Sequence, residues 1–457
     1  MTTQQSLRVA VIGAGPAGIY ASDLLIRNEE HQIDVDLFEQ MPAPFGLIRY
    51  GVAPDHPRIK GIVKSLHNVL DRPRLRLLGN IEVGKDITVD ELREHYDAVV
   101  FATGAVRDRA LNIPGVKAEG SFGAADFVGF YDGNPRFSRD WDLSAEKVAV
   151  IGVGNVGLDV ARILAKTADE LKVTEIPDNV YDSLQQNQAR EVHVFGRRGP
   201  AQAKFTPQEL KELDHSPTIN VVVDPEDIDY DEASEEARRA SKSQDLVCQI
   251  LEGYAIREPK DAPHTLQIHL FEQPTEILEK EGKVVGLRTE RTELDGNGGA
   301  RSTGRFTDWP VQAIYRAVGY ESDPVPGVPF DSGSAVIPND GGHVLDPVGQ
   351  PVTGLYATGW IKRGPIGLIG NTKSDARQTT DMLFADAAAG RLSRTVSDPE
   401  AIISLLEERN IAYTTWQGWY QLDAEERSLG EAEGRERKKI VDWEEMVRHA
   451  RAVPVCV

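Results

Sequence analysis

The chain has 457 residues, 40% of them apolar and 27% charged, a composition that fits a globular protein of about two to four domains and is too long for one ordinary core. A net charge of −21 opposes association with nucleic acid or anionic lipid, and no stretch approaches the roughly 18 consecutive apolar residues of a membrane-crossing helix. The two cysteines, Cys248 and Cys456, lie far apart and outside any C-x-x-C pair, so no metal or iron–sulfur centre is expected and any redox chemistry falls to a bound organic cofactor.

The N-terminal MTTQQSLRVAV lacks a basic segment followed by an apolar one, so a cytoplasmic protein is expected. Val9 to Ile12 is an apolar run of the kind that forms a strand buried on both faces. Gly13-Ala14-Gly15-Pro16-Ala17-Gly18 then turns into a helical pattern from Ile19 to Arg27. In such a strand–turn–helix unit Gly13 permits the tight turn, Gly15 admits a pyrophosphate to the backbone, and Gly18 lets helix and strand pack closely. The next strand-like run, Ile33 to Phe38, ends in Glu39, whose carboxylate suits the hydroxyls of an adenosine ribose. The first loop is therefore expected to bind FAD or NAD.

Met41 to Gly61 reads as a long ordered loop, a length that tends to be functional. Ile62 to Leu70 reads as helix, Leu75 to Val83 as strand and Thr88 to His95 as helix. Ala98 to Ala102 is a second buried run, ending in Thr103-Gly104. A second glycine unit follows at Val148 to Gly157, VAVIGVGNVG, with a helical pattern through Leu164. Its second strand, Glu191 to Phe195, lies beyond an insert from Ala168 to Gln188, at about twice the usual ~20-residue spacing from the loop. That strand is followed by Gly196-Arg197-Arg198, so guanidinium groups stand where an NAD enzyme carries an acid, as a 2′-phosphate requires. The second loop is expected to bind NADPH.

Asp224 to Glu236 is an acidic run, expected as a solvated loop and helix start, and Leu266 to Arg291, with a turn at Asp295 to Gly299, reads as an antiparallel meander. Val311 to Val318 returns the chain toward the first domain, Gly354 to Trp360 leads into IKRGPIGLIGNTKSDA, and a helix is expected from Asp375 to Ala389. The tail from about Asp398 contains one helical pattern and WQGWYQLD. Two basic clusters, Arg238/Arg239/Lys242 and Arg435/Arg437/Lys438/Lys439, read either as solvated faces or as docking patches.

The segments GAGPAG, PFGLIRYGVAPDHPRIK, GVGNVGLDVARIL, FGRRGPAQAKFT and ATGWIKRGPIGLIGNTKSDA together resemble the adrenodoxin-reductase-like NADPH–ferredoxin reductases, bacterial type, from Val9 to about Trp443. The resemblance implies an α/β fold with two Rossmann-like dinucleotide-binding domains. An NADP domain (105–323) would be inserted into an FAD domain built from 1–104 and 324–457. It implies FAD contacts at Gly13, Ala14, Gly15, Gly18, Glu39, Leu47, Val83, Trp360, Gly367, Leu368 and Ile369. For NADPH it implies Val153, Gly154, Asn155, Val156, Arg197, Arg198, Glu209, the region of Gly367, and Arg109. His56 in DHP and Glu212 in FTPQELKEL are the titratable residues it places nearest the flavin ring, as catalytic candidates. The implied reaction is hydride transfer from NADPH to the flavin N5, then single electrons to a ferredoxin. A quinone or small-molecule acceptor, or a non-catalytic FAD-binding scaffold, remains open on the residues alone, as does the oligomeric state.

Overall fold

The structure, a computed structural model, describes residues 6–367 and 369–451, with the side chains of Ile369 and Asn371 left aside. Leu368 and Cys456 therefore lie outside the described residues. The chain divides into two compact units, one made of residues 1–107 and 320–457 and the other of 108–319. The sequence reading had placed these divisions after residues 104 and 323.

In the first unit the apolar run at the N-terminus becomes the strand Leu7–Ile12, flanked in parallel register by Ile33–Phe38 and Ala98–Phe101. Its alternate residues serve opposite faces: Val9 and Val11 enter one core with Ile19 and Leu37, Ala10 and Ile12 another with Phe38 and Phe101. Burial on both faces explains why the strand is apolar at every position. The seven-stranded sheet runs Asn339–Asp340, His343–Leu345, Pro351–Ala357, Ala98–Phe101, Leu7–Ile12, Ile33–Phe38, Leu75–Leu78. The presumed loop after Glu39 contains two short helices, Leu47–Tyr50 and Pro57–Lys60. The tail forms helices Ala401–Glu408, Trp416–Glu431 and Trp443–Arg451, and its Trp416, Trp419 and Met446 pack in one core with Phe45, Ile48 and Tyr50.

In the second unit a six-stranded parallel sheet runs Ser121–Gly123, Ala313–Arg316, Lys147–Ile151, Glu191–Phe195, His264–His269, Ile219–Val223. The three-stranded antiparallel meander is Glu272–Lys280, Lys283–Leu294 and Ala300–Trp309. Here the sequence reading is corrected: the run through Leu266 is an inner parallel strand, and the meander starts after it. The acidic run is a largely exposed loop that leads into the helix Glu232–Ala240, as expected, with one exception: Asp227 is only 2% exposed and accepts hydrogen bonds from Leu270 N and from Arg291 Nη1. The helix expected from Asp375 spans Ile369–Ala388. Among the described residues no helix is long and apolar enough to cross a membrane.

Candidate functional site

In the first unit, Gly13 has φ +107°, and a Cβ there would stand 2.5 Å from the carbonyl oxygen of Ala102. A Cβ on Gly18 would overlap the carbonyl oxygen of Gly13. These two glycines are demanded by the fold. Gly15 is not: the nearest atom to its Cβ position is Gly46 Cα at 3.9 Å. Gly15 is also the N-cap of helix Pro16–Ile26, and no side chain caps that end, the arrangement an anion-binding helix start requires. Glu39 is 6% exposed and follows the second strand, and its two carboxylate oxygens accept hydrogen bonds from Ala14 N at 2.8 Å and Met41 N at 2.9 Å. These two bonds fix the orientation of the carboxylate at the strand end, where an adenosine ribose would present its hydroxyls.

Two distant segments close on this loop. Phe45 N donates to Ala14 O at 2.8 Å, which brings Gly46 over Gly15. Gly359, at φ +75°, approaches so closely that its Cβ would lie 2.7 Å from that of Ala17. The Gly359 turn is itself held by buried Asp375, which accepts from Gly359 N at 2.5 Å and Thr358 Oγ1 at 3.0 Å and pairs with Lys362 Nζ at 3.2 Å. Half-buried Trp360 starts the helix Trp360–Arg363 directly after this turn. Leu47 starts the helix beyond Gly46, and Val83 is partly buried against the core that contains Ile12. Gly367 is exposed at φ +90°, and Ile369 begins the long helix. His56 is 3% exposed and occupies the N-cap of Pro57–Lys60.

The second unit repeats the logic of the first. Gly152, at φ +134°, and Gly157 would overlap the carbonyl oxygens of Ala317 and Gly152 if either carried a Cβ, whereas the Cβ position of Gly154 meets nothing within 4 Å. Gly154 caps helix Asn155–Ala165, again without a side-chain cap. Val153 O accepts from Lys204 N and Asn155 Oδ1 from Thr206 N, both at 2.8 Å, which lays the segment 204–206 along the loop. Val156 is half-buried in the first turn of that helix. Gly196 packs against Val153, a Cβ there standing 2.5 Å from Val153 Cγ1, so Arg197 and Arg198 leave the strand beside the glycine turn. Arg197 is exposed and Arg198 half-buried, and among the described residues no carboxylate pairs with either guanidinium. Glu209 is 5% exposed with its carboxylate 3.7 Å from Arg162 Nη1, Glu212 accepts from Gln208 Nε2 at 3.0 Å, and the exposed Arg109 is anchored by its N–H to Gly319 O at 2.9 Å.

Both units thus fit a dinucleotide on their own evidence: a Cβ on the first or third glycine would clash with protein atoms, whereas one on the middle glycine would meet no atom closer than 3.9 Å in the first unit and none within 4 Å in the second. One docking candidate is overturned. Arg435, Arg437 and Lys439 are buried, at 7, 7 and 3% exposure, and their charges are taken up within the unit, Arg435 by Glu433, Arg437 by the buried Asp423 and Glu426, and Lys439 by Arg49 O. The sequence reading also missed Asp375, Lys362, Phe45 and Thr206. The F-G dipeptide at Phe45-Gly46 was a local signal for the first closure, whereas nothing local marked Asp375 or Thr206.

A carboxylate-bearing and an arginine-bearing dinucleotide loop in one chain define a two-dinucleotide oxidoreductase. Residues 7–194 match the family described as pyridine nucleotide-disulphide oxidoreductase. NADPH-ferredoxin reductase FprA of Mycobacterium tuberculosis (strain ATCC 25618 / H37Rv) is 40% identical over 454 residues, 96% of this chain and 98% of that one. Human mitochondrial NADPH:adrenodoxin oxidoreductase is 37% identical over 466 residues, 98% of this chain and 92% of that one. The solved structure of Mycobacterium tuberculosis FprA in complex with NADPH has a TM-score of 0.91 at 38% identity, with 98% of this chain and all of that one covered. The chain belongs to the family of NADPH–ferredoxin and adrenodoxin reductases.

Proposed function

We propose that the chain is an NADPH-dependent, FAD-containing ferredoxin reductase of the cytoplasm. What carries the reading is the contrast at the two strand ends, Glu39 beside one open glycine turn and unpaired arginines beside the other. Bound FAD would supply the hydride acceptor and the conversion from two-electron donor to one-electron acceptor. The protein's own part is binding and orientation. Gly13, Ala14, Gly15, Gly18 and Glu39 hold the adenosine end of FAD, and Leu47, Val83, Trp360, Gly367, Leu368 and Ile369 are assigned to the rest of it. Val153 to Val156, Glu209 and Arg109 hold NADPH, and Arg197 and Arg198 grip its 2′-phosphate. His56 and Glu212 are the titratable groups assigned to the reaction. Hydride transfer itself needs no proton donor, so their effect falls on proton balance rather than on the central step.

Each charge-assisted contact to the 2′-phosphate should contribute roughly 1.5–3 kcal/mol that NADH cannot use. Arg197→Ala/Arg198→Ala should therefore raise the KM for NADPH by at least about tenfold per arginine, with some overlap, and leave that for NADH nearly unchanged. The measurement is the ratio of kcat/KM for the two nucleotides, beside anaerobic bleaching of the flavin band by NADPH. A wild type that prefers NADH, or a double variant that discriminates as wild type does, would reject the assignment.

A further inference from the structure

The backbone of the arginine turn is held to an unusual degree while both side chains stay available. Three consecutive carbonyls are capped from elsewhere in the second unit. Gly196 O accepts from Glu272 N at 2.9 Å, Arg197 O from Thr292 Oγ1 at 2.7 Å, and Arg198 O from Phe271 N at 3.3 Å. The same segment is tied at its start, where Gly196 N donates to His269 O at 2.8 Å. Thr292 is 4% exposed and is fixed in turn by its own N–H to Phe271 O at 2.8 Å. Phe271 holds the left-handed conformation, φ +58°, and its ring covers Gly199, where a Cβ would stand 2.5 Å from Phe271 Cζ. A bulky residue at positive φ persists only where its surroundings over-determine it, and such strain gathers at functional positions. The Asp227–Arg291 pair supplies that over-determination: Asp227 accepts from Leu270 N at 2.9 Å, and the Arg291 guanidinium lies 5.5 Å from the Phe271 ring centroid.

We infer that Thr292 and Phe271 are positioning residues for NADPH selectivity, acting through the main chain of the Arg197-Arg198 turn. The inference rests on the reading of those arginines as the 2′-phosphate grip. Two long side chains that must converge on one phosphate lose less freedom on binding when the turn beneath them is already fixed. Only a nucleotide carrying the 2′-phosphate gains from this preorganisation, so the effect is one of selectivity rather than of general affinity. The meander, which contributes neither the glycine loop nor the Arg197-Arg198 pair, thereby acquires a task in recognition.

The Thr292 hydroxyl is the one side-chain donor in the clamp, which makes Thr292→Val the direct test. Losing this hydrogen bond should raise the Kd for NADPH about three- to tenfold and leave the Kd for NADH and kcat within about twofold. Thr292→Ser, which keeps the donor, should retain wild-type selectivity. A matched control lies in the next strand, where Thr303 Oγ1 donates to Arg291 O at 2.6 Å without touching the turn. Thr303→Val should leave the NADPH to NADH ratio unchanged. In an Arg197→Ala/Arg198→Ala background, Thr292→Val should have no further effect on the ratio. Should Thr292→Val not fold, Thr292→Ala exposes the same carbonyl without a larger side chain and replaces it. Equal losses for both nucleotides, unchanged NADPH affinity, or an equal effect of Thr303→Val would overturn the inference while the arginine assignment stood. Failure of that assignment would show separately, as undiminished selectivity in the double arginine variant, and would overturn both.

Discussion

Gly152 and Gly154 stand two residues apart and answer to different demands. Gly152 sits at φ +134° with Ala317 O against its Cβ position, whereas Gly154 sits at φ −118°, open to any residue, with nothing within 4 Å. Gly152→Ala should accordingly destabilise the protein by about 1–3 kcal/mol. Gly154→Ala should melt within about 0.5 kcal/mol of wild type and weaken NADPH binding by at least about tenfold, since its new methyl group enters the space left for the pyrophosphate. Thermal melts and nucleotide titrations of the two variants check this, and a Gly154→Ala protein that binds NADPH normally would remove the argument that the middle glycine is kept for the ligand. His269 carries the clearest pH dependence. It is 3% exposed, stacked on Phe195, and burial, with the neighbouring His193 and Arg291, lowers its pKa from 6.5 to about 3. The folded state then keeps this imidazole neutral while the unfolded chain takes up a proton below its ordinary value. The stability is intact above pH 6.5 and drains as pH falls from there toward 3, by about 2 kcal/mol between pH 7.5 and 5. In His269→Gln that part of the acid sensitivity should vanish, so denaturant melts at both pH values that shift as in wild type would disprove it.

The helix Trp416–Glu431 shows how an element of the tail serves the first site. Glu426, fully buried, accepts from Arg49 Nη1 at 3.0 Å, Arg437 Nη1 at 3.0 Å and Ile440 N at 3.0 Å, and Arg49 lies in the short helix that begins at Leu47. Removing a carboxylate from a buried cluster leaves its cations uncompensated, so Glu426→Ala should cost about 3–5 kcal/mol and release flavin more readily on dialysis. A loss under about 1 kcal/mol in urea melts would show the cluster to be indifferent. This element was only partly legible. WQGWYQLD stood out without a helical assignment although it opens this helix, and the basic residues that follow read as a surface cluster because the acids that bury Arg437, Asp423 and Glu426, sit on another element. The helix Ile369–Ala388 looked shorter because Gly370, Thr372 and Ser374 are poor helix formers, which tertiary packing overrides. Likewise, His264 to His269 alternates as a solvated strand would, although its neighbours on both sides are parallel.

At the scale of the whole molecule, both glycine units were legible because each is completed within about thirty residues of chain, apart from the long insert before Arg197. What closes on them was not: Thr292 lies 95 residues from Arg197, and Gly359 reaches Ala17 from the other end of the sequence. Net charge is the other global property with a consequence. At −21 the protein repels an acidic ferredoxin on average, so productive encounter requires a local positive region. The tail cluster is consumed internally, and Arg238 is held by Asp245 at 2.9 Å and Glu252 at 3.1 Å, which leaves exposed Arg239 and Lys242 of the original candidates. Neither belongs to a nucleotide loop. If they steer the partner, Arg239→Glu/Lys242→Glu should lower kcat/KM for ferredoxin about tenfold at low salt, with a smaller difference at high salt where the Debye length shrinks to a few ångströms. Reduction of a small neutral dye by NADPH should proceed at the wild-type rate, because the flavin and both nucleotide sites are untouched. The decisive comparison is the two acceptors across a salt series, and equal loss with dye and ferredoxin, or a ferredoxin rate indifferent to the charge reversal at every salt concentration, would move the docking surface away from Arg239 and Lys242.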